Sequence, residues 1–252
     1  MLAALDALPL NTLFARAVVL DEAAGRVLVG PDAANATYVV HDYGMSLLFG
    51  ADLDDATLAY VLTRDRARDE WLQVAPTRAA ARFARLEPPQ AREQHTRVNF
   101  AFSPMLFHTR RRALAASPKI EPVSESTFAV AGSVVPQAFW RDSRRFLELG
   151  TGFAVLVEGE VASIAFSAFV TATQLEIGIE TAAPFRGRGL AAFACVALID
   201  HCLARGLEPV WSCRLENTAS HRLATSLGFT PTRALPCFRL PARVGAQATQ
   251  LT

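Results

Sequence analysis

The stretch Leu175 to Ala192, LEIGIETAAPFRGRGLAA, decides the reading of this chain. Leu175, Ile177 and Ile179 alternate with Glu176, Gly178 and Glu180 as a strand requires. Gly187 and Gly189 then mark a turn, and Leu190 opens an apolar run with helical spacing. The first turn of a helix leaves N–H groups without intrahelical acceptors, and aligned peptide dipoles make that end partially positive. An anion settles there, and the two glycines let backbone approach a pyrophosphate with no Cβ in the way.

Three phosphate-binding readings compete for the turn. A Walker loop fails because the chain has no GK[ST]. A dinucleotide fingerprint, G-x-G-x-x-A, matches Gly187, Gly189 and Ala192. That motif wants its first glycine at the strand's end, whereas Thr181 to Arg186 intervene, and neither Glu208 nor Glu216 falls where a ribose-binding acid belongs. A coenzyme A site tolerates the offset: the turn takes the pyrophosphate, and the preceding strand pairs with the amide-bearing pantetheine arm as with another strand.

Outward from the turn, Gly152–Glu158 and Val161–Val170 form a hairpin-like pair around Gly159, and Gln174–Glu180 is a third strand. Leu190–Ala204 is a helix closed by Gly206, Pro209–Arg214 a strand, and Asn217–Leu227 a helix capped by Asn217 and ended by Gly228. Pro136–Leu149 has helical spacing, and Cys237–Leu240 reads as a last strand. Upstream, Ala115–Thr127 breaks the apolar periodicity with Pro118 and Pro122 and reads as a connector. It predicts two domains, 1–118 and 119–252. In the first, Arg26–Val29, Thr37–Val40 and Ser46–Phe49 resemble strands, and Asp52–Leu62 and Thr77–Leu86 have helical spacing. The fold class is therefore α/β in the broad sense, a mixed sheet flanked by helices, with a smaller α+β domain before it.

Arg186-Gly187-Arg188-Gly189-Leu190-Ala191 fits the [QR]-x-x-G-x-[GA] signature of the GNAT acetyltransferase superfamily, and the strand WSCRLEN and the later Leu227-Gly228-Phe229 follow in the order that superfamily uses. Within it, EIGIET, RGRGLA and N-x-x-S before L-G-F resemble the two-domain zwittermicin A resistance-type group. The detailed match runs from about Trp140 to Phe229. The resemblance implies a C-terminal GNAT fold after a degenerate GNAT-like domain. It also implies acetyl-coenzyme A as co-substrate, no metal, and direct acetyl transfer to the primary amine of a small molecule.

On that resemblance, backbone from Arg186 through Gly187, Arg188, Gly189 and Leu190 to Ala191 takes the pyrophosphate. Ile177, Gly178 and Ile179 pair with pantetheine, and an amide there steadies the thioester oxygen. An alkyl amine has a pKa near 10, so some group must remove its proton. Glu176 is the expected base, directly or through water, and Glu180 the second candidate; a solvated strand-face glutamate is the alternative. Asn217 would hydrogen-bond coenzyme or acyl group with Ser220 assisting, although Asn217 is equally a helix cap with Ser220 at N3. The family's tyrosine acid falls at Ala224, which leaves water, Ser220 or a group from the first domain to protonate the thiolate. A free thiol has a pKa around 8.5, so a strong acid is not obligatory.

Two further functions stay open on the sequence: a non-catalytic acyl-coenzyme A binder, motivated by Ala224, and a dinucleotide-dependent oxidoreductase, motivated by G-x-G-x-x-A. Cys213 is the rival covalent acyl acceptor, and His41 of HDYG could line an acceptor pocket. Twenty-five basic against 24 acidic residues argue against a nucleic-acid surface, so Arg110-Arg111-Arg112 reads as a solvated edge. Cys195, Cys202, Cys213 and Cys237 have neither CxxC nor zinc spacing and read as buried thiols. Trp140, Trp211 and Phe193 read as core. With no secretory leader and no run long enough to span a bilayer, a soluble cytoplasmic protein is expected; the oligomeric state is open.

Overall fold

The computed structural model describes residues 1–29, 36–111 and 118–243. The chain divides into two compact units, one holding Met1–Arg97, Arg214–Glu216 and the chain from Ala234, the other Val98–Cys213 and Asn217–Arg233. The division thus falls earlier than residue 118, and the chain returns to the first unit twice. Part of the expected connector, 115–117, lies outside the described residues, as does Arg112. The rest of it is ordered structure, a strand and a short helix of the second unit. Pro122 does not break that strand because it sits at the strand's end.

The first unit comprises α1 (Leu2–Asp6), α2 (Leu13–Val19), β1 (Gly25–Val29), β2 (Thr37–His41), β3 (Met45–Phe49), α3 (Asp55–Thr63), β4 (Glu70–Ala75), α4 (Thr77–Phe83) and the start of β5 (Glu93–Phe102). β1, β2 and β3 are antiparallel neighbours, β4 runs parallel to β3, and residues 237–240 pair antiparallel with β4. Tyr38, Leu48, Leu58, Leu62, Leu72, Phe83 and Phe238 share one core. Inside this unit the Tyr38 hydroxyl donates to Glu70 Oε2, and Arg64 Nη2 donates to Glu70 Oε1 and, at 3.3 Å, to the Tyr38 oxygen. Burial beside the Glu70 carboxylate pushes the Tyr38 phenol well above its ordinary range. Arg66, only 3% exposed, donates to Val61 O at 2.6 Å and Leu62 O at 3.0 Å, supplying partners for carbonyls at the end of α3.

The second unit continues with α5 (Pro104–Arg111), β6 (Lys119–Pro122), α6 (Glu125–Phe128), α7 (Pro136–Phe139), α8 (Ser143–Leu149), β7 (Gly152–Val157) and β8 (Glu160–Val170). Then come β9 (Gln174–Thr181), α9 (Leu190–Ala204), β10 (Glu208–Arg214), α10 (Thr218–Ser226) and β11 (Phe229–Leu240), of which Arg214 and the residues from Ala234 belong to the first unit. The expected single helix over Pro136–Leu149 is two, α7 and α8. Trp140 leaves the helix to donate its indole N–H to Ser167 O at 2.7 Å, and Asp142 recaps the chain by accepting from Arg145 N at 2.7 Å. The last strand begins at Phe229, well before the expected Cys237. Ser103 N donates to Gly228 O at 3.1 Å where α10 gives way to that strand.

Strands β6, β7, β8 and β9 form an antiparallel meander, and the β9–α9–β10 crossover brings β10 alongside β9 in parallel. Leu190, Ala194, Leu198 and Cys202, spaced four apart, are buried with Leu175, Ile177, Val155 and Trp211, which fixes α9 over this face of the sheet. All four cysteines are free and buried.

Candidate active site

Two local features open the sheet at one point. Pairing between β9 and β10 is confined, among the described residues, to Gln174–Glu176 with Glu208–Val210. Opposite that last rung, β8 carries an extra residue, Ala168, since Ser167 faces Ile177 and Phe169 faces Glu176. A bulge bends its strand and strengthens local twist, so it belongs where β9 swings away from β10. The edge of Ile177, Gly178 and Ile179 that would continue toward β10 is therefore unladdered, while their other edge stays paired with β8.

Beyond this edge a 3-10 turn, Ala183–Phe185, accounts for the six-residue offset seen in the sequence. Gly187 and Gly189 both adopt φ +75°, a conformation that side-chain-bearing residues avoid, and Gly189 is the N-cap of α9. A Cβ at either glycine would meet nothing within 4 Å, so the turn faces open space. The Ala192 amide returns to Gly189 O at 3.1 Å, whereas the N–H groups of the preceding turn lie ahead of the intrahelical ladder. Leu190 is buried, and Ala191 half-buried. Open space, left-handed glycines and a helix N-terminus fit a pyrophosphate, and the unladdered edge of β9 fits an amide-bearing arm.

The arginines of the turn act first on the protein. Arg186 donates through Nε to Thr181 O at 3.0 Å and through Nη2 to Glu180 Oε1 at 3.4 Å. The Arg188 guanidinium lies 5.5 Å over the Phe185 ring. Both side chains hold the turn's own shape.

The alternation of β9 is realised. Leu175, Ile177 and Ile179 pack with the α9 core, and Gly178 on the opposite face is overlain by Phe166, whose ring a Cβ would meet at 2.5 Å. Glu176 is only 5% exposed, and Ser212 Oγ donates to its Oε1 at 2.8 Å. Ser212 lies two residues past the last β9–β10 rung, on the face opposite Trp211 and Cys213. The sequence reading missed it because only the parallel register brings it to Glu176. Glu180 is a different kind of residue: its Oε2 accepts from Val134 N at 2.9 Å and Ser133 Oγ at 3.2 Å.

At the head of α10, Asn217 is the N-cap and accepts from Ser220 N at 3.1 Å, so its cap role is realised. Ser220 Oγ in turn accepts from Trp211 Nε1 at 3.1 Å, leaving its one hydroxyl proton for another acceptor. Ala224 is wholly buried in the core. His221 stacks edge-on to Phe100 at 5.1 Å.

Other expected residues fall elsewhere. His41 belongs to the first unit, is 1% exposed, and accepts at Nδ1 from Tyr43 N at 3.0 Å; it caps a turn instead of lining a pocket. Cys213 is 6% exposed, which does not suit a nucleophile. Arg111 pairs with Asp200, and Arg110 donates to Thr225 O, so this edge ties helices within its unit. Among the described residues no acidic, histidine or cysteine cluster is arranged to hold a metal, and no helix is long and apolar enough to cross a membrane.

Comparison with known proteins agrees with this fold. A GCN5-related N-acetyltransferase-like protein from Streptococcus suis 89/1591 superposes with a TM-score of 0.73 at 21% identity, covering 94% of this chain and 96% of that one. A GNAT-family acetyltransferase from Colwellia psychrerythraea superposes with a TM-score of 0.58 at 13% identity, covering 94% and 93%. At these identities the likeness is one of fold. A curated relative, the uncharacterised N-acetyltransferase YdfB of Bacillus subtilis, is 35% identical over 107 residues, 42% of this chain and 40% of that protein. The family model described as GNAT acetyltransferase matches residues 11–238, through both units, and the chain therefore belongs to the GNAT acetyltransferase family.

Proposed function

We propose that the protein transfers an acetyl group from acetyl-coenzyme A directly to the primary amine of a small molecule, with no acyl-enzyme. The observation that carries this reading is the parting of β9 from β10 at Glu176, next to a turn whose two left-handed glycines face open space. Bound acetyl-coenzyme A supplies an activated thioester to that opening. Gly187 to Ala191 would take its pyrophosphate with backbone N–H groups, and the free edge of Ile177–Ile179 would pair with its amides and steady the thioester oxygen.

Glu176 is the proposed base. It lies beside the opening, and the Ser212 hydroxyl holds one carboxylate oxygen so that the carboxylate keeps a fixed orientation toward the incoming amine. Ser220, with its oxygen already engaged by Trp211, is the proposed proton donor to the departing thiolate, directly or through water. Because a thiol is a far stronger acid than an alcohol, a weak donor suffices. A cytoplasmic location rests on the four free, buried thiols.

A second reading, an acyl-coenzyme A binder without turnover, is favoured by one observation: the family's acid position is the fully buried Ala224. Calorimetric titration with acetyl-coenzyme A and with NAD, followed by thiol release across a broad panel of amines, tests both. Binding of acetyl-coenzyme A with thiol release supports transfer. Binding without release supports the binder, and preference for NAD overturns both.

A further inference from the structure

Glu180 lies on the same face of β9 as Glu176, four residues on, yet it is engaged from two sides at once. Its Oε2 accepts from the Val134 amide at 2.9 Å and the Ser133 hydroxyl at 3.2 Å, and its Oε1 accepts from Arg186 Nη2 at 3.4 Å. The segment it holds lies against it, since a Cβ on Gly132 would stand in van der Waals contact with Glu180 Cγ at 3.4 Å. Glu180 is 15% exposed and Arg186 63%. One carboxylate therefore joins the phosphate-facing turn, through Arg186, to the segment Gly132–Val134 bordering the Glu176 face.

We infer that Glu180 is a positioning residue that couples coenzyme binding to the acceptor side of the site, an inference that rests on the acetyl-coenzyme A reading above. The Arg186 contact to Glu180 is the longest of the three, and it comes from an exposed cation in the turn itself, so it is the one that a pyrophosphate can win. When phosphate draws the guanidinium away, the negative charge on Glu180 falls wholly on Val134 N–H and Ser133 O–H. Charge-assisted hydrogen bonds strengthen as competing donors leave, and the segment tightens against β9 before the amine arrives. Glu180 takes no proton in this scheme, which separates its role from that of Glu176.

The test needs no knowledge of the amine. Amide hydrogen exchange at Val134 is measured with and without coenzyme A, in the wild type, Glu180→Gln and Arg186→Ala, with thermal melts confirming that each variant is folded and calorimetry confirming that coenzyme A is bound. In the wild type, coenzyme A slows Val134 exchange about tenfold, the change expected when a hydrogen bond to a charged group strengthens by about 1.4 kcal/mol. Arg186→Ala binds coenzyme A more weakly and, at coenzyme A concentrations that saturate it, lacks this response, its Val134 exchange being already slow in the free protein; Glu180→Gln exchanges faster at Val134 in the free protein and no longer responds. Wild-type binding with Val134 exchange unmoved, or an intact response in Arg186→Ala, overturns the coupling and leaves the acetyltransferase reading standing. A wild type that binds no coenzyme A overturns that reading and the coupling with it.

Discussion

The two units of this chain spend their buried polar groups in opposite ways. In the first, Tyr38, Glu70 and Arg64 engage one another, and Arg66 closes on the carbonyls of α3. In the second, the polar groups that matter stand at a gap: backbone N–H groups at Gly187–Ala191, an unladdered edge at Ile177–Ile179, and Glu176 held by a hydroxyl beside that opening. A closed network stabilises and specifies; an open one binds. Members of one family can hold both designs in a single chain, and the difference is set by which donors are left facing space.

Filling the gap is expected to have the largest effect. Gly189→Glu places a side chain and a negative charge at the turn and forces a φ of +75° on a residue that resists it. Acetyl-coenzyme A affinity falls at least about a hundredfold, roughly 3 kcal/mol by calorimetry, while the backbone strain of about 1 kcal/mol lowers the melt by only about 2–4 °C. Unchanged affinity would remove the turn from the site. Opening the closed network is the converse experiment: Glu70→Ala strands Arg64, whose side chain is 8% exposed, and costs about 3–5 kcal/mol in denaturant unfolding, without weakening coenzyme binding by the folded fraction. A loss of coenzyme affinity there would show that the first unit's network serves the site directly.

Within the second unit, Glu176→Gln keeps the shape and the bond from Ser212 while removing the base, so turnover of the accepted amine drops about a hundredfold at unchanged coenzyme affinity. Equal turnover would move the proton's acceptor elsewhere. The smallest effect treats the units alike. Burial pushes the Cys202 thiol up to about 12 and the Cys237 thiol up to about 11. The unfolded chain ionises near 8.5, so the stability these thiols contribute is complete below that pH and is lost as pH rises through the folded values. The unfolding free energy from denaturant titration should decline between pH 8.5 and 10 by about 1–2 kcal/mol per thiol, and Cys237→Ala should make the decline shallower; a flat wild-type profile would contradict this.

Much of the second unit was legible because its periodicity is clean. The alternation in LEIGIE, the four-residue spacing along α9 and the glycines after each helix each determine one element. Helix α7 ends and α8 begins within one helical pattern because Trp140 is claimed by Ser167 O, a partner 27 residues away. Ala168 reads as an ordinary strand residue; only the register of its neighbours makes it a bulge. The site followed the same rule. The turn and β9 were readable from local spacing, while Ser212 on Glu176 and Ser133–Val134 on Glu180 arise from register and loop placement. In the first unit, β4 lacked a clean period because it is buried along nearly its whole length.

Gly228 carries φ +91°, and a Cβ there would stand 2.6 Å from Phe107 N and 3.0 Å from Ser103 O. The middle letter of the L-G-F signature is therefore the joint at which one strand, one helix and the start of another meet backbone to backbone. Such a joint is policed by crowding, so a descendant that had lost its chemistry would keep it for as long as it still folded. L-G-F is thus a packing signature. The pair Gly187 and Gly189, crowded by nothing, is required only by its left-handed backbone, and that backbone leaves the turn bare toward the space where the proposed coenzyme would rest.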